Sequence, residues 1–478
     1  MKYPVDGFAK AETANRVILG EGEEPAGCSI PAGFIVSRKE EDHGMKRLAA
    51  TEWKGSRLAG LLLPFLLACP AGAQQGRLNV VLEAEAGVRN DGNYGSQQDP
   101  ALRQDRTLGR AGFNLQLSYA LERLNLALGY SPSYDWVLNN DNGSNLSGTT
   151  HRLDFGLVGD LNRQLRLNVR ESLLSTPDVD LYAPVTTPET TVVTHRGNQL
   201  SNTLDVSLDQ TLGRHGLLLI GVTHSLRRYQ DAGLSDSETI GGRLGAGFDL
   251  ARRGRIEANL GVSRYDYRDR GEADARTLGV AWASDLGRDN HFRVEVGSYS
   301  VDSTLRRPGD PAARERQTDN GWRGGLQFAQ DRRLFHWSLG ASHDISPGAG
   351  LGRAVTADNA FLGLSTSVGR RLTLGLDGNV SRQRDLAREG TDPAFGDSRS
   401  SLTEFAAGTA RAGWSFSPAF RLEGGYSRIW QRARVEPFAN LSYARYYVNL
   451  AFRIYDSGTT PVRPENLGRP TDEKPDDQ

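Results

Sequence analysis

From Leu78 to Ile454 the chain alternates apolar and polar side chains with a period of two. That period puts the two kinds on opposite faces of a β-strand. Phe113, Leu115, Leu117, Tyr119 and Leu121 alternate with Asn114, Gln116 and Ser118. Ile240, Leu244, Ala246, Phe248 and Leu250 alternate with Gly241, Arg243, Gly245, Gly247 and Asp249. Leu372, Leu374 and Leu376 repeat the pattern, as do Val448, Leu450, Phe452 and Ile454. No apolar stripe at helical spacing competes, so the expectation is all-β.

Tight connectors fall at 121–123, 160–164, 213–216, 252–255, 287–291, 331–333, 369–371 and 417–419. Longer polar segments separate them, at 90–107, 138–149, 176–199, 230–237, 269–275, 303–318, 345–355 and 386–400. Alternation of this kind predicts hairpins with about eighteen strands, each near the roughly 10 residues that a tilted strand needs to cross hydrocarbon. An even number leaves both ends on one side. A strand edge in lipid finds no water, so the sheet must close on itself. The sequence therefore predicts a single closed antiparallel transmembrane β-barrel over 78–455, with short periplasmic turns and longer outward loops. A soluble propeller or solenoid would repeat a motif of fixed length, and none is present.

The polar face is strongly charged. Arg152, Arg166, Arg170, Arg243, Arg255, Arg293, Arg323, Arg411, Arg421 and Arg445 alternate with aliphatic neighbours, as do Asp154, Asp205, Asp209, Asp249, Glu257, Glu295, Asp377 and Glu423. An arginine facing lipid at mid-depth costs roughly 2–4 kcal/mol, so these eighteen residues are the candidate lining of a lumen. Tyr130, Tyr134, Trp136, Tyr265, Tyr267 and Trp430 are placed as interface girdle aromatics, and Trp282, Trp337 and Trp414 on the lipid face.

Composition agrees without deciding. In 478 residues, 57 Lys+Arg balance 58 Asp+Glu, which removes the basic footprint of a nucleic-acid binder. A mean hydropathy of −0.49 excludes a bundle of membrane helices, while a barrel, greasy at alternate positions only, averages as polar.

Both cysteines, Cys28 and Cys69, lie ahead of the alternating region, so that region offers no thiol for a disulfide, metal or nucleophile. Residues 45–73 read as a signal peptide: Lys46, Arg47, Lys54 and Arg57 form a basic start, 58–68 an apolar core, and Ala71-Gly72-Ala73 a cleavage site. Leu66-Leu67-Ala68-Cys69 offers the alternative of lipidation at Cys69. Residues 1–44 are polar and acidic and read as an upstream extension, either non-native or disordered. Residues 456–478, rich in Pro, Asp and Glu, read as a disordered periplasmic tail.

No enzyme is expected. The eight histidines fall in no metal or nucleophile frame; His151, His195, His215 and His291 sit in loops or turns, and His224 and His336 on strands. His224 and Ser225 would point to opposite faces of a strand. Asp302–Asp310 and Asp141-Asn142-Gly143 are oxygen-rich but lack calcium-loop spacing. No metal and no cofactor is therefore expected. The long segment at 177–198 carries apolar Val179, Leu181, Tyr182 and Val185; it either folds inward as a constriction or lies over the surface as a lid.

Asn198-Gln199-Leu200-Ser201-Asn202-Thr203-Leu204, Gly213-Arg214 and His224-Ser225-Leu226-Arg227-Arg228-Tyr229 resemble β-barrel, porin-like proteins of bacterial exopolysaccharide and exosortase-associated loci. The resemblance implies an outer-membrane conduit or accessory for polysaccharide export, with periplasmic polysaccharide-export components as partners. It carries over no functional residue. Tyr446 to Phe452 resembles the aromatic-ended last strand read by the barrel-assembly machinery, except that 456–478 follow it. Outer-membrane lipid and that machinery are the expected partners; nucleic acid is not. A structural barrel with a plugged lumen and a lipid-acting barrel enzyme are the alternatives to a conduit.

Overall fold

The computed structural model describes residues 77–92, 105–140, 147–177, 199–230, 235–251, 254–268, 270–286, 289–307, 310–332, 334–348, 353–386, 403–433 and 441–457. The expected extension, signal peptide with Ala71 and Ala73, constriction segment with Val179, Leu181, Tyr182 and Val185, Asp141–Gly143 and the tail beyond Ser457 lie outside them.

The strands run β1 (Arg77–Gly92), β2 (Arg106–Ala120), β3 (Leu124–Asn140), β4 (Gly148–Asp160), β5 (Leu165–Thr176) and β6 (Gln199–Leu212). They continue as β7 (Gly216–Tyr229), β8 (Ser237–Ala251), β9 (Gly254–Tyr267), β10 (Gly271–Asp285), β11 (Asn290–Arg307) and β12 (Asp310–Asp331). The last six are β13 (Phe335–Ser346), β14 (Val355–Val368), β15 (Leu372–Asp385), β16 (Thr403–Ser417), β17 (Phe420–Ala433) and β18 (Leu441–Asp456). Every strand pairs antiparallel with the next, and β18 pairs with β1 from Gly92↔Ala444 to Val81↔Asp456. The result is a closed barrel of 18 strands. Closure leaves no free edge, the condition a sheet in lipid must meet.

Opposite residues of an antiparallel ladder share a face, so the register assigns every position around the ring. Val448, Leu450, Phe452, Leu260, Val262, Val280 and Trp282 fall on one face and are exposed. A continuous exposed aliphatic belt around a closed sheet is what acyl chains require. The protein is thus a membrane-spanning barrel of the outer membrane.

The eight tight connectors form one end of the barrel. Gly213 and Gly369 take φ of 66° and 64° there, a left-handed conformation that a side chain would strain. By the usual asymmetry of such barrels this end is periplasmic.

Two expected outward loops are absent. The β9–β10 connection is only 268–270, and β11 and β12 run on through the proposed loop at 303–318. Asp302 and Thr318 are ladder partners joined by a 2.7 Å side-chain hydrogen bond, so Asp302 belongs to a strand and not to an oxygen-rich loop. The alternation fails here because the hairpin outruns the hydrocarbon. Strands of 18 and 22 residues greatly exceed the roughly 9–11 needed to cross. Beyond lipid neither face must be apolar, and backbone pairing alone sustains the strands.

Histidine placement is corrected too. His151 lies within β4 and His291 within β11. His215 is in a turn as expected, and His195 lies outside the described residues.

Candidate functional site

All eighteen candidate residues fall on the face opposite the aliphatic belt. Arg445 is opposite Asp91, Asp154 opposite Ser172, Arg166 opposite Asp209, and Arg170 opposite Asp205. Farther round, Asp249 is opposite Arg255, and Ala281 stands between Glu257 and Glu295 in the ladder. Gly363 faces Asp377, Gly375 faces Arg411, and Gly413 faces Glu423. Charge on this face avoids the lipid penalty and finds partners across the strands.

Those partners are close. Arg152 Nε lies 2.8 Å from Asp154, Arg166 Nε 2.8 Å from Asp160 and Arg255 Nε 2.6 Å from Asp249. Arg293 reaches Glu257 at 2.7 Å and Glu295 at 3.7 Å. Arg323 bridges Glu295 at 3.2 Å and Asp344 at 2.8 Å. Arg411 meets Asp377 at 3.2 Å, Arg421 meets Glu423 at 3.6 Å, and Asn168 donates to Asp209 at 2.8 Å. Thr223 donates to Asp205 at 2.9 Å, with Arg243 farther off at 3.9 Å. Pairing opposite charges across the wall offsets self-repulsion within a confined lumen.

Two environments divide this face. Inward-pointing Arg243 and Asp205, both at mid-strand, keep 49% and 39% side-chain exposure. A side chain pointing into a closed barrel keeps such exposure only where the interior admits water. By contrast, a cluster at the outward end of β1 is sealed. Asp91 is 0% exposed and is gripped by Arg445 at 2.6 Å, Arg106 at 2.9 Å and Arg89 at 3.3 Å. Asp135 extends it, with Arg110 at 2.6 Å and Arg89 at 3.6 Å. Of this group, sequence reasoning named only Arg445. Arg89 and Asp91 alternate with Val88 and Asn90, so parity along β1 was the available clue.

The tyrosines of β9 correct another expectation. Tyr265 and Tyr267 share the inner face with Arg255 and Glu257 and are buried there, so they are not girdle residues. They stack with ring centroids 6.5 Å apart and join one apolar cluster with Ala273, Ala275, Tyr299, Val301, Ala354 and Leu386. Leu386 follows β15, yet its carbonyl accepts from Gln317 Nε2 of β12 at 2.9 Å. Leu386 itself therefore packs over the inner face against residues of β9–β11.

The remaining aromatics named from sequence are on the outer face. Tyr134, Trp282, Trp414 and Trp430 are exposed there, and Trp136 and Trp337 share it. Tyr130 also lies outward, its hydroxyl 3.0 Å from His151 Nδ1. His224 pairs with Glu238 on this face, whereas Ser225 points inward to Thr203. Among the described residues no three His, Cys, Asp or Glu side chains are grouped to hold a metal ion.

No protein-family profile matches the chain, and no curated protein does. Solved structures do match. OccAB1 of Acinetobacter baumannii is 10% identical with a TM-score of 0.40, over 79% of this chain and 97% of that one. OccK2 of Pseudomonas aeruginosa, solved in complex with glucuronate, is 13% identical with a TM-score of 0.39, over 79% and 98%. The ferric citrate transporter FecA is 12% identical with a TM-score of 0.36, over 75% of this chain and 61% of that one.

Proposed function

We propose that the barrel is a passive conduit for small hydrophilic solutes across the outer membrane. The supporting observation is the exposure kept by Asp205 and Arg243, although both point inward at mid-strand of a closed wall. Paired charges along such a path replace part of a solute's hydration without holding one ion tightly, which suits passage over storage. The exposed and half-buried charges of the inner face line this path, and the buried cluster around Tyr267 and Leu386 flanks it.

Conductance of the purified full chain in planar bilayers tests this. Discrete single-channel steps that scale with salt are expected. A folded barrel that never conducts overturns the reading and favours a plugged structural barrel, which the dense ion pairing and the Tyr267–Leu386 packing would suit. Polysaccharide as the cargo rests on the short resemblance of 198–204 and 224–229 alone. Blockage of the conductance by soluble polysaccharide chains, against none by neutral polymer too wide to enter, would support it.

A further inference from the structure

The short-turn end of the barrel carries a charge excess that the lumen does not use. Arg123, Arg163, Arg214, Arg332, Arg370 and Arg371 are exposed in its turns. Among the described residues none of these six side chains has an ion pair, and the turns that carry them contain one carboxylate, Glu122. Nearby acids on the strands are already engaged. Asp160 pairs with Arg166, Asp249 with Arg255, Asp285 with His291, and Asp331 with His336. The excess sits at the tips.

A second observation fixes the depth of those tips. Within two residues of the arginines stand exposed apolar side chains: Leu161 before Arg163, Leu212 before Arg214, Leu334 after Arg332 and Val368 before Arg370. In a membrane barrel such a step from aliphatic to cationic marks the passage from hydrocarbon to headgroup. It recurs in turns that join β4–β5, β6–β7, β12–β13 and β14–β15, so it follows the circumference. A globular partner would need a patch on one side, and a threaded polymer would need the charges in the lumen. A ligand that surrounds the barrel is its own lipid annulus.

We propose that these six arginines form a docking ring for the phosphates of anionic phospholipids in the leaflet beside the short turns. The guanidinium fork meets phosphate oxygens with two parallel hydrogen bonds. Low dielectric on the hydrocarbon side and the surface potential of anionic lipid strengthen each contact. The ring also sets how deep the barrel rides, because moving it inward would take six cations into acyl chains.

The test is unfolding of the full chain from vesicles of phosphatidylcholine alone or with phosphatidylglycerol, followed by urea titration. The wild type is expected to unfold at higher urea in phosphatidylglycerol, and salt is expected to erase the gain. Free inorganic phosphate added to phosphatidylcholine vesicles should not reproduce it. With all six arginines changed to Gln, the two lipid compositions should give one midpoint. If that variant fails to fold, two triple variants (Arg123→Gln, Arg163→Gln, Arg214→Gln and Arg332→Gln, Arg370→Gln, Arg371→Gln) should each lose about half of the shift. A wild type indifferent to phosphatidylglycerol, or variants that keep the full shift, would overturn the proposal. Neither outcome depends on whether the barrel conducts.

Discussion

Arg445 Nε donates to Asp91 Oδ1 over 2.6 Å, although the two residues are 354 positions apart. The bond crosses the seam where β18 meets β1. Arg106 of β2 donates to the same carboxylate at 3.0 Å, so Asp91 ties the closing strand to the first hairpin. One carboxylate among three guanidinium groups is a compact device for closure. It can form only when the ends of the barrel are in register.

Asp91→Ala leaves Arg89, Arg106 and Arg445 in a sealed site with their shared anion removed. Breaking a buried pair costs about 3–5 kcal/mol. The urea midpoint of the variant, read from the gel shift between folded and unfolded barrel, should fall accordingly. An unchanged midpoint would show that the seam is held by backbone pairing alone.

The two faces of β9 make a direct comparison. Leu260 is exposed on the belt, and Asn259 beside it points inward. Leu260→Arg should destabilise the barrel in vesicles by roughly 2–4 kcal/mol, whereas Asn259→Arg should cost far less. Equal losses from both would contradict the assignment of faces.

Charge selectivity should respond to Arg243, an exposed inward arginine that pairs with Asp205. Two unit charges 4 Å apart interact by about 1 kcal/mol in water. Arg243→Gln unmasks Asp205, so the cation-to-anion permeability ratio should rise by about 2- to 5-fold on that scale. Reversal potentials in a salt gradient measure it, and a ratio moving toward anions would be the wrong sign.

Tyr447 lies flat across Gly425 on the inner face, and a Cβ added at that glycine would overlap its ring. Gly425→Ala should therefore displace Tyr447 from its contact with Glu423, at a cost of about 1–3 kcal/mol from overpacking. The double variant Gly425→Ala, Tyr447→Ala should be less sensitive to the glycine change than the single variant. Strict additivity would show that the two sites are not coupled.

The two-residue alternation, with the spacing of the turns, determined the number of strands and the face each residue takes where a strand crosses lipid. Such information is local: once Leu260 faces lipid, Asn259 cannot. Even the tyrosines at 265 and 267 carried their parity, an even distance from Arg255, and were misplaced only because aromatics near strand ends suggested a girdle. Where β11 and β12 rise out of the membrane, lipid no longer imposes alternation, and the sequence ceased to mark the strand. The tertiary structure alone decided which charges meet. Asp91 chooses Arg445 through the β1–β18 register, and Leu386 reaches Gln317 because the wall curves back on itself. Register and closure are set by contacts between distant segments, and no window of sequence contains both partners.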